Sequence, residues 1–162
     1  TRLVGSEMCI RDRVCDRVIY AFTLSPEEIT ACYEHGTPTL AARVASVKLA
    51  GKMGHPVRLC FDPMIYYPHY KEVYRRMLGE VFAQIDTDHI VDVSMGSFRI
   101  SKDYLKNMRR HDVLSPVVQF PYENIDGVYQ YPDKLRQEME GFLHKELCKY
   151  VEEEHIFCWD QT

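Results

Sequence analysis

The sequence predicts an α/β fold built on parallel strands, and three observations carry that reading. Short runs rich in β-branched and aromatic residues alternate with helical stretches over residues 18–110. Alternation of strand and helix at this spacing needs crossover connections, which impose parallel pairing. The chain has 162 residues and is 46% hydrophobic, enough for one packed domain or part of one.

Residues 18–24 form the first strand-like run. Ser25-Pro26-Glu27-Glu28 then reads as a helix start, with Ser25 as cap, Pro26 at the first helical position and Glu28 closing a capping box. His35-Gly36-Thr37-Pro38 breaks that helix. A second helix is expected over 40–53, with Leu40, Val44, Val47 and Leu49 apolar and Gly54 as its stop. Residues 57–62 form the next strand, closed by Pro63. Pro68 opens a helix to about Ile85, and 89–94 is the third strand, ended by Gly96. Ser101 caps a helix over 102–110. Two strands, 117–120 and 128–131, flank the turn Asn124-Ile125-Asp126-Gly127. A long helix over 133–151 carries Leu135, Met139, Phe142, Leu143 and Leu147 at helical period, and 155–159 is a last short strand.

Leu3-Val4-Gly5-Ser6-Glu7-Met8-Cys9-Ile10-Arg11-Asp12 resembles the in-frame translation of a transposon sequencing adapter. Residues 1–13 are therefore expected to be an adapter-derived, unstructured head and are left out of fold reasoning. The natural chain is expected to begin upstream, leaving 14–162 as the C-terminal part of a longer domain. No run approaches the roughly 18 apolar residues of a membrane helix. The net charge of −4 argues against a strongly basic nucleic-acid coat protein but allows a local basic cleft. The six cysteines, Cys9, Cys15, Cys32, Cys60, Cys148 and Cys158, show no Cys-x2-Cys pair and no disulfide rhythm. Buried, reduced thiols and a cytoplasmic compartment are expected.

Ligands of parallel α/β folds gather at the C-terminal ends of strands. Three segments fall there: Thr23-Leu24-Ser25, Asp62-Pro63-Met64 and Ser94-Met95-Gly96-Ser97. Their hydroxyls and carboxylate serve either a ligand or a local cap and turn. His144 and Cys148 lie four apart on one helix, but two ligands do not make a metal site. Lys102, Lys106 and Arg109 share a helix face within the basic stretch 99–111, which suits phosphates or plain solvation. Tyr66, Tyr67, Tyr122, Tyr129 and Tyr131 suit base stacking or cross-strand packing.

From Phe22-Thr23-Leu24-Ser25-Pro26-Glu27 the sequence resembles the spore photoproduct lyase family of radical SAM DNA-repair enzymes. The likeness runs through Glu34-His35-Gly36-Thr37, Leu40, Arg43, Gly54-His55-Pro56 and Asp62-Pro63, without a gap from Thr23 to Pro63. It continues in element order over residues 17–160, the C-terminal half of a family member. It implies half of a partial (β/α) radical SAM barrel, with a β-hairpin and a long C-terminal helix. It also implies S-adenosylmethionine and a four-iron four-sulfur cluster as cofactors, an electron donor as partner, and a thymine-dimer lesion in damaged DNA as substrate. In that chemistry a SAM-derived radical abstracts hydrogen from the lesion, which reverts to two thymines.

Position by position, Thr23 stands where the family has a SAM-contacting serine. Asp62 stands where a strand-end alanine lies against SAM. Tyr122 falls near the lesion-binding tyrosine of the family's hairpin, with Pro121 where the family has an arginine. The family's Cys-x3-Cys-x2-Cys loop and hydrogen-donor cysteine have no counterpart here. The cluster ligands are therefore expected upstream, with no catalytic or metal residue in this piece, which by itself is expected to be inactive. Two other readings stay open. One is a radical SAM protein with another substrate, favoured by the missing arginine. The other is a non-catalytic α/β nucleic-acid-binding module using 99–111 and the hairpin tyrosines.

Overall fold

The computed structural model describes residues 18–159, so the adapter-like head, Cys9 and Cys15 lie outside the described residues. In chain order the elements are β1 (Tyr20–Thr23), α1 (Glu27–Tyr33), α2 (Leu40–Lys52), β2 (Val57–Met64), α3 (Tyr70–Phe82) and β3 (Ile90–Ser97). There follow β4 (Arg99–Ser101), α4 (Lys102–His111), α5 (Pro116–Gln119), β5 (Glu123–Ile125), β6 (Val128–Gln130), α6 (Asp133–Leu147) and β7 (Ile156–Cys158). One sheet has the order β1-β2-β3-β7, with every pairing parallel. A smaller antiparallel sheet has the order β4-β6-β5. The α/β fold with parallel crossovers is thus as expected.

The parallel sheet is apolar on one face. Val57, Leu59 and Phe61 of β2 are buried and lie in register with Tyr20 and Phe22 of β1 and with Val93 and Met95 of β3. Against that face pack Ile29 of α1, Val44, Val47 and Ala50 of α2, Met77, Leu78 and Val81 of α3, and Met139, Leu143 and Leu147 of α6. The intervening residues form the second face. They are Ala21 and Thr23, then Arg58, Cys60 and Asp62, then Asp92 and Ser94, then Phe157. A sheet covered by helices on both faces reads as continuous apolar runs, which this one does not. The pattern is instead that of a barrel wall, with helices outside and polar side chains inward.

Several boundaries differ from expectation. Pro26, not Ser25, occupies the cap position of α1 and makes no side-chain cap bond; Ser25 is buried, and Glu28 pairs with Arg76 of α3. Ser101 makes no cap bond to α4. Gly96 does not end β3, because Ser97 stays in register with Met64 and is held by Glu140 of α6. α3 begins at Tyr70 rather than Pro68, since His69 turns left-handed at φ 58°. α6 stops at Leu147, after which Tyr150 folds back to stack on Phe82 at 4.5 Å.

Residues 117–120, expected as a strand, lie in α5 or at its end. Pro116 suits the first helical position, and Val117 and Val118 are buried there. The hairpin instead pairs β5 with β6 around Asp126 (φ 51°) and Gly127 (φ 86°), the two positive angles of a type I′ turn. None of the described cysteines is buried: Cys32 and Cys148 are exposed, and Cys60 and Cys158 are half-buried. No helix among the described residues is long and apolar enough to cross a membrane.

Leu78 sits fully buried between α3 and the sheet. Replacing it with alanine should lower the unfolding free energy by about 2–5 kcal/mol. Urea unfolding followed by circular dichroism measures this. A loss near zero would mean that α3 does not pack as described.

Candidate functional site

The C-terminal ends of β1 and β2 and the loop after α1 enclose a groove of about 610 Å³. Small-molecule sites commonly span roughly 300–1,000 Å³. Thr23, Glu34, Thr37, Arg43, Ser46 and Asp62 supply its polar lining, and Phe22, Pro38 and Pro63 part of its apolar one. The groove thus brings together Thr23 and Asp62, two residues that the sequence singled out. The placement follows from register: Thr23 lies opposite Cys60, and Asp62 is the next residue of β2 on the same face. Asp62 reaches toward β3, where a Cβ on Gly96 would lie 3.6 Å from its Oδ1.

Arg43 builds the wall of the groove. Its Nε donates to the Pro38 carbonyl at 2.9 Å and its Nη1 to the Thr23 carbonyl at 3.1 Å, while Nη2 pairs with Glu34. Thr37 donates its hydroxyl to the Glu34 carbonyl at 2.9 Å. One guanidinium therefore ties the end of β1 to the loop and to the end of α1. The planar fork suits this work, and lysine would satisfy fewer of the acceptors. Further down the same sheet face, Arg58 and Asp92 form a two-pronged pair, with Nη2 2.6 Å from Oδ2. Only the Asp92 end of this pair is buried, and a half-exposed ion pair contributes little net stability, so it orders β2 against β3 more than it stabilises them.

Ser94 and Ser97, from the third strand-end segment, are both buried. Ser97 donates through its backbone N–H at 3.1 Å and its hydroxyl at 2.7 Å to Glu140. Its role is thus to lock β3 onto α6.

Tyr122 does not line the groove. It belongs to an aromatic cluster with Phe98, Phe120 and Tyr131, at centroid distances of 5.6, 5.2 and 5.2 Å. Its hydroxyl donates to the Val117 carbonyl at 2.7 Å. Burial, with a smaller contribution from Tyr131, pushes its phenol well above the ordinary range. Tyr74 is likewise raised by burial, and its oxygen accepts the Ile65 N–H at 2.9 Å.

Cys148 Sγ lies 3.7 Å from His144 Nδ1. Among the described residues, the one group of three or more ligand atoms at metal spacing is the exposed set Glu152, Glu154 and His155. The sequence assigns no role to the clamp formed by Arg43 and Glu34, although both residues lie in the motif that carries the resemblance. Ser46 has no sequence signal; it joins the groove by lying three residues after Arg43 on α2.

A four-stranded parallel sheet with helices on its apolar face and polar residues on the other is the architecture that carries the groove. Solved structures of spore photoproduct lyase share it. One variant matches with a TM-score of 0.73 at 14% identity, covering 88% of this chain and 44% of that one. A variant with dinucleoside spore photoproduct matches at 0.75 and 14%, with the same coverage. Another, with bound AdoMet and dinucleoside spore photoproduct, matches at 0.73 and 14%, covering 86% and 43%. The chain therefore spans less than half the length of these proteins, and the likeness establishes the fold. No family model matches the sequence, and no curated protein does.

Tyr74 and Tyr122 should stay protonated past the ordinary phenol value of about 10. Because their folded values are raised, their contribution to stability is whole below about pH 10 and disappears as pH rises toward the folded values. A titration of absorbance at 295 nm should show these phenols ionising only as the protein unfolds. Full reversible ionisation near pH 10 in the folded state would contradict their burial.

Proposed function

We propose that the chain is the C-terminal half of a cytoplasmic radical SAM lyase that acts on a thymine-dimer lesion in DNA, like spore photoproduct lyase. The observation that carries this reading is the groove at the β1 and β2 ends, set in this fold with Thr23 and Asp62 on one wall. Four cysteines kept as thiols, two of them exposed, accord with a reducing compartment.

The groove residues fit S-adenosylmethionine. The volume suffices, Thr23 and Ser46 offer hydroxyls, and the Asp62 carboxylate complements a ligand whose sulfonium and ammonium are cationic. When bound, this cofactor supplies the hydrogen-abstracting radical. The chain's own residues position it: Thr23 and Asp62 orient the ligand, and Arg43 fixes the wall that carries Thr23. The packed sheet beneath holds these groups in the fixed geometry on which reaction depends. The described residues do not fit an iron–sulfur cluster, for no three cysteines among them come together.

A second reading, the same cofactor with another substrate, is favoured by two facts. Pro121 stands beside Tyr122 in place of an arginine, and the Tyr122 hydroxyl is already engaged by Val117.

The test starts from recovery of the upstream coding sequence. The full-length protein, reconstituted with iron and sulfide, is given S-adenosylmethionine, a reductant and dinucleoside spore photoproduct. Both cofactor cleavage and lesion reversal are expected. Asp62→Asn should weaken cofactor binding about 10-fold or more, the scale of one charge-assisted hydrogen bond. Cleavage without reversal would favour the second reading. A reconstituted cluster with no cofactor cleavage would overturn both.

A further inference from the structure

We infer that α4 is a docking surface for the phosphate backbone of duplex DNA, lying beside the groove rather than in it. Over residues 99–111 the chain carries five cations, Arg99, Lys102, Lys106, Arg109 and Arg110, against one carboxylate, Asp103. The chain as a whole carries −4. A concentration of one sign on a chain of the other marks an electrostatic surface.

The structure separates these cations into two kinds. Arg109 is structural: its Nε donates to the Val118 carbonyl at 2.9 Å and ties α4 to α5. Lys102, Lys106 and Arg110 are exposed and make no ion pair with the described residues. Elsewhere the arginines Arg43, Arg58, Arg76 and Arg136 each pair with a carboxylate. Along a helix, residues 102 to 110 span about 12 Å at 1.5 Å per residue. One DNA strand presents a phosphate about every 3.4 Å of axis, so about 12 Å of duplex offers at least as many phosphates as the three cations can neutralise.

The fold also places this surface. α4 turns only Leu105 into the core, and its first backbone N–H donates to Gly127 at the hairpin turn, 3.2 Å away. β4, which leads into α4, pairs with β6 of the hairpin. A polymer lying on α4 would thus run beside the hairpin and the aromatic cluster. The exposed Tyr104 and Met108 are too few for the continuous apolar face that an interfacial membrane helix buries. The choice of DNA over another polyanion rests on the proposed lyase reading; the surface itself rests on charge and exposure.

The experiment measures binding of this chain to a fluorescein-labelled duplex of mixed sequence by anisotropy, across a sodium chloride series. Neither SAM nor a cluster is needed, so failure of lesion reversal leaves this result standing, and the reverse holds too. The triple variant Lys102→Gln, Lys106→Gln, Arg110→Gln should bind at least about 10-fold more weakly at low salt. Its slope of log K against log salt should shrink by about 2.7, or 0.9 for each phosphate no longer neutralised. Lys48→Gln with Lys52→Gln, at the opposite ends of the strands, should change neither. Unchanged circular dichroism of the triple variant confirms that folding is intact. Equal affinity and slope in parent and triple variant would overturn the inference. So would binding to phosphatidylserine vesicles without binding to the duplex.

Discussion

Alternation along the parallel strands constrains everything else in this molecule. Val57, Leu59 and Phe61 can be buried only if helices cover their side of the sheet. Arg58, Cys60 and Asp62 then point the other way, where Asp92 and Ser94 of the next strand meet them. Helices on both faces would bury that second set, and the pairing of Arg58 with Asp92 would at best balance the desolvation of its two charges. One-sided coverage follows, and with it a polar inner face that opens into the groove at the strand ends.

The groove depends on this constraint and on one further interaction. Strand geometry brings Thr23 and Asp62 to the same side, but the wall opposite is loop, which has no intrinsic shape. Arg43 gives it one by engaging two carbonyls and a carboxylate at once. On the far side of the sheet's apolar core, Glu140 secures Ser97 and thereby the point where β3 passes into the second sheet.

The second sheet carries a different kind of order. Its three strands are three residues long, too short to be stable alone. Phe98, Phe120, Tyr122 and Tyr131 fasten it to the main body through ring contacts of 4.8 to 5.6 Å. Ring packing therefore uses most of what these tyrosines offer, and a hydrogen bond to Val117 takes the hydroxyl of Tyr122. The charge of α4 is left outside that packing, which is why it stands available to a partner.

Much of this is legible in the sequence. The strand–helix rhythm, the Asp126-Gly127 turn and the period of α6 are local, and local backbone preferences determine them. Thr23 and Asp62 are readable as strand-end residues because strand ends follow from the same rhythm. Residues 117–120 mislead because a four-residue run with three apolar side chains fits strand and helix equally, and only burial of Val117 and Val118 beside α4 selects the helix. The roles of Arg43, Glu140 and Tyr122 are not legible. For Arg43 and Glu140 the partner's position depends on how separate elements pack, across 20 residues for Arg43 and Thr23 and 43 for Ser97 and Glu140. Tyr122 reaches only as far as Val117, five residues back, but through a helix that the sequence does not announce. By itself the sequence determined which elements form and which face of each is apolar, since those depend on neighbours along the chain. The tertiary structure alone decided which polar groups are used up in holding the fold and which are left to meet a ligand, since that depends on neighbours in space.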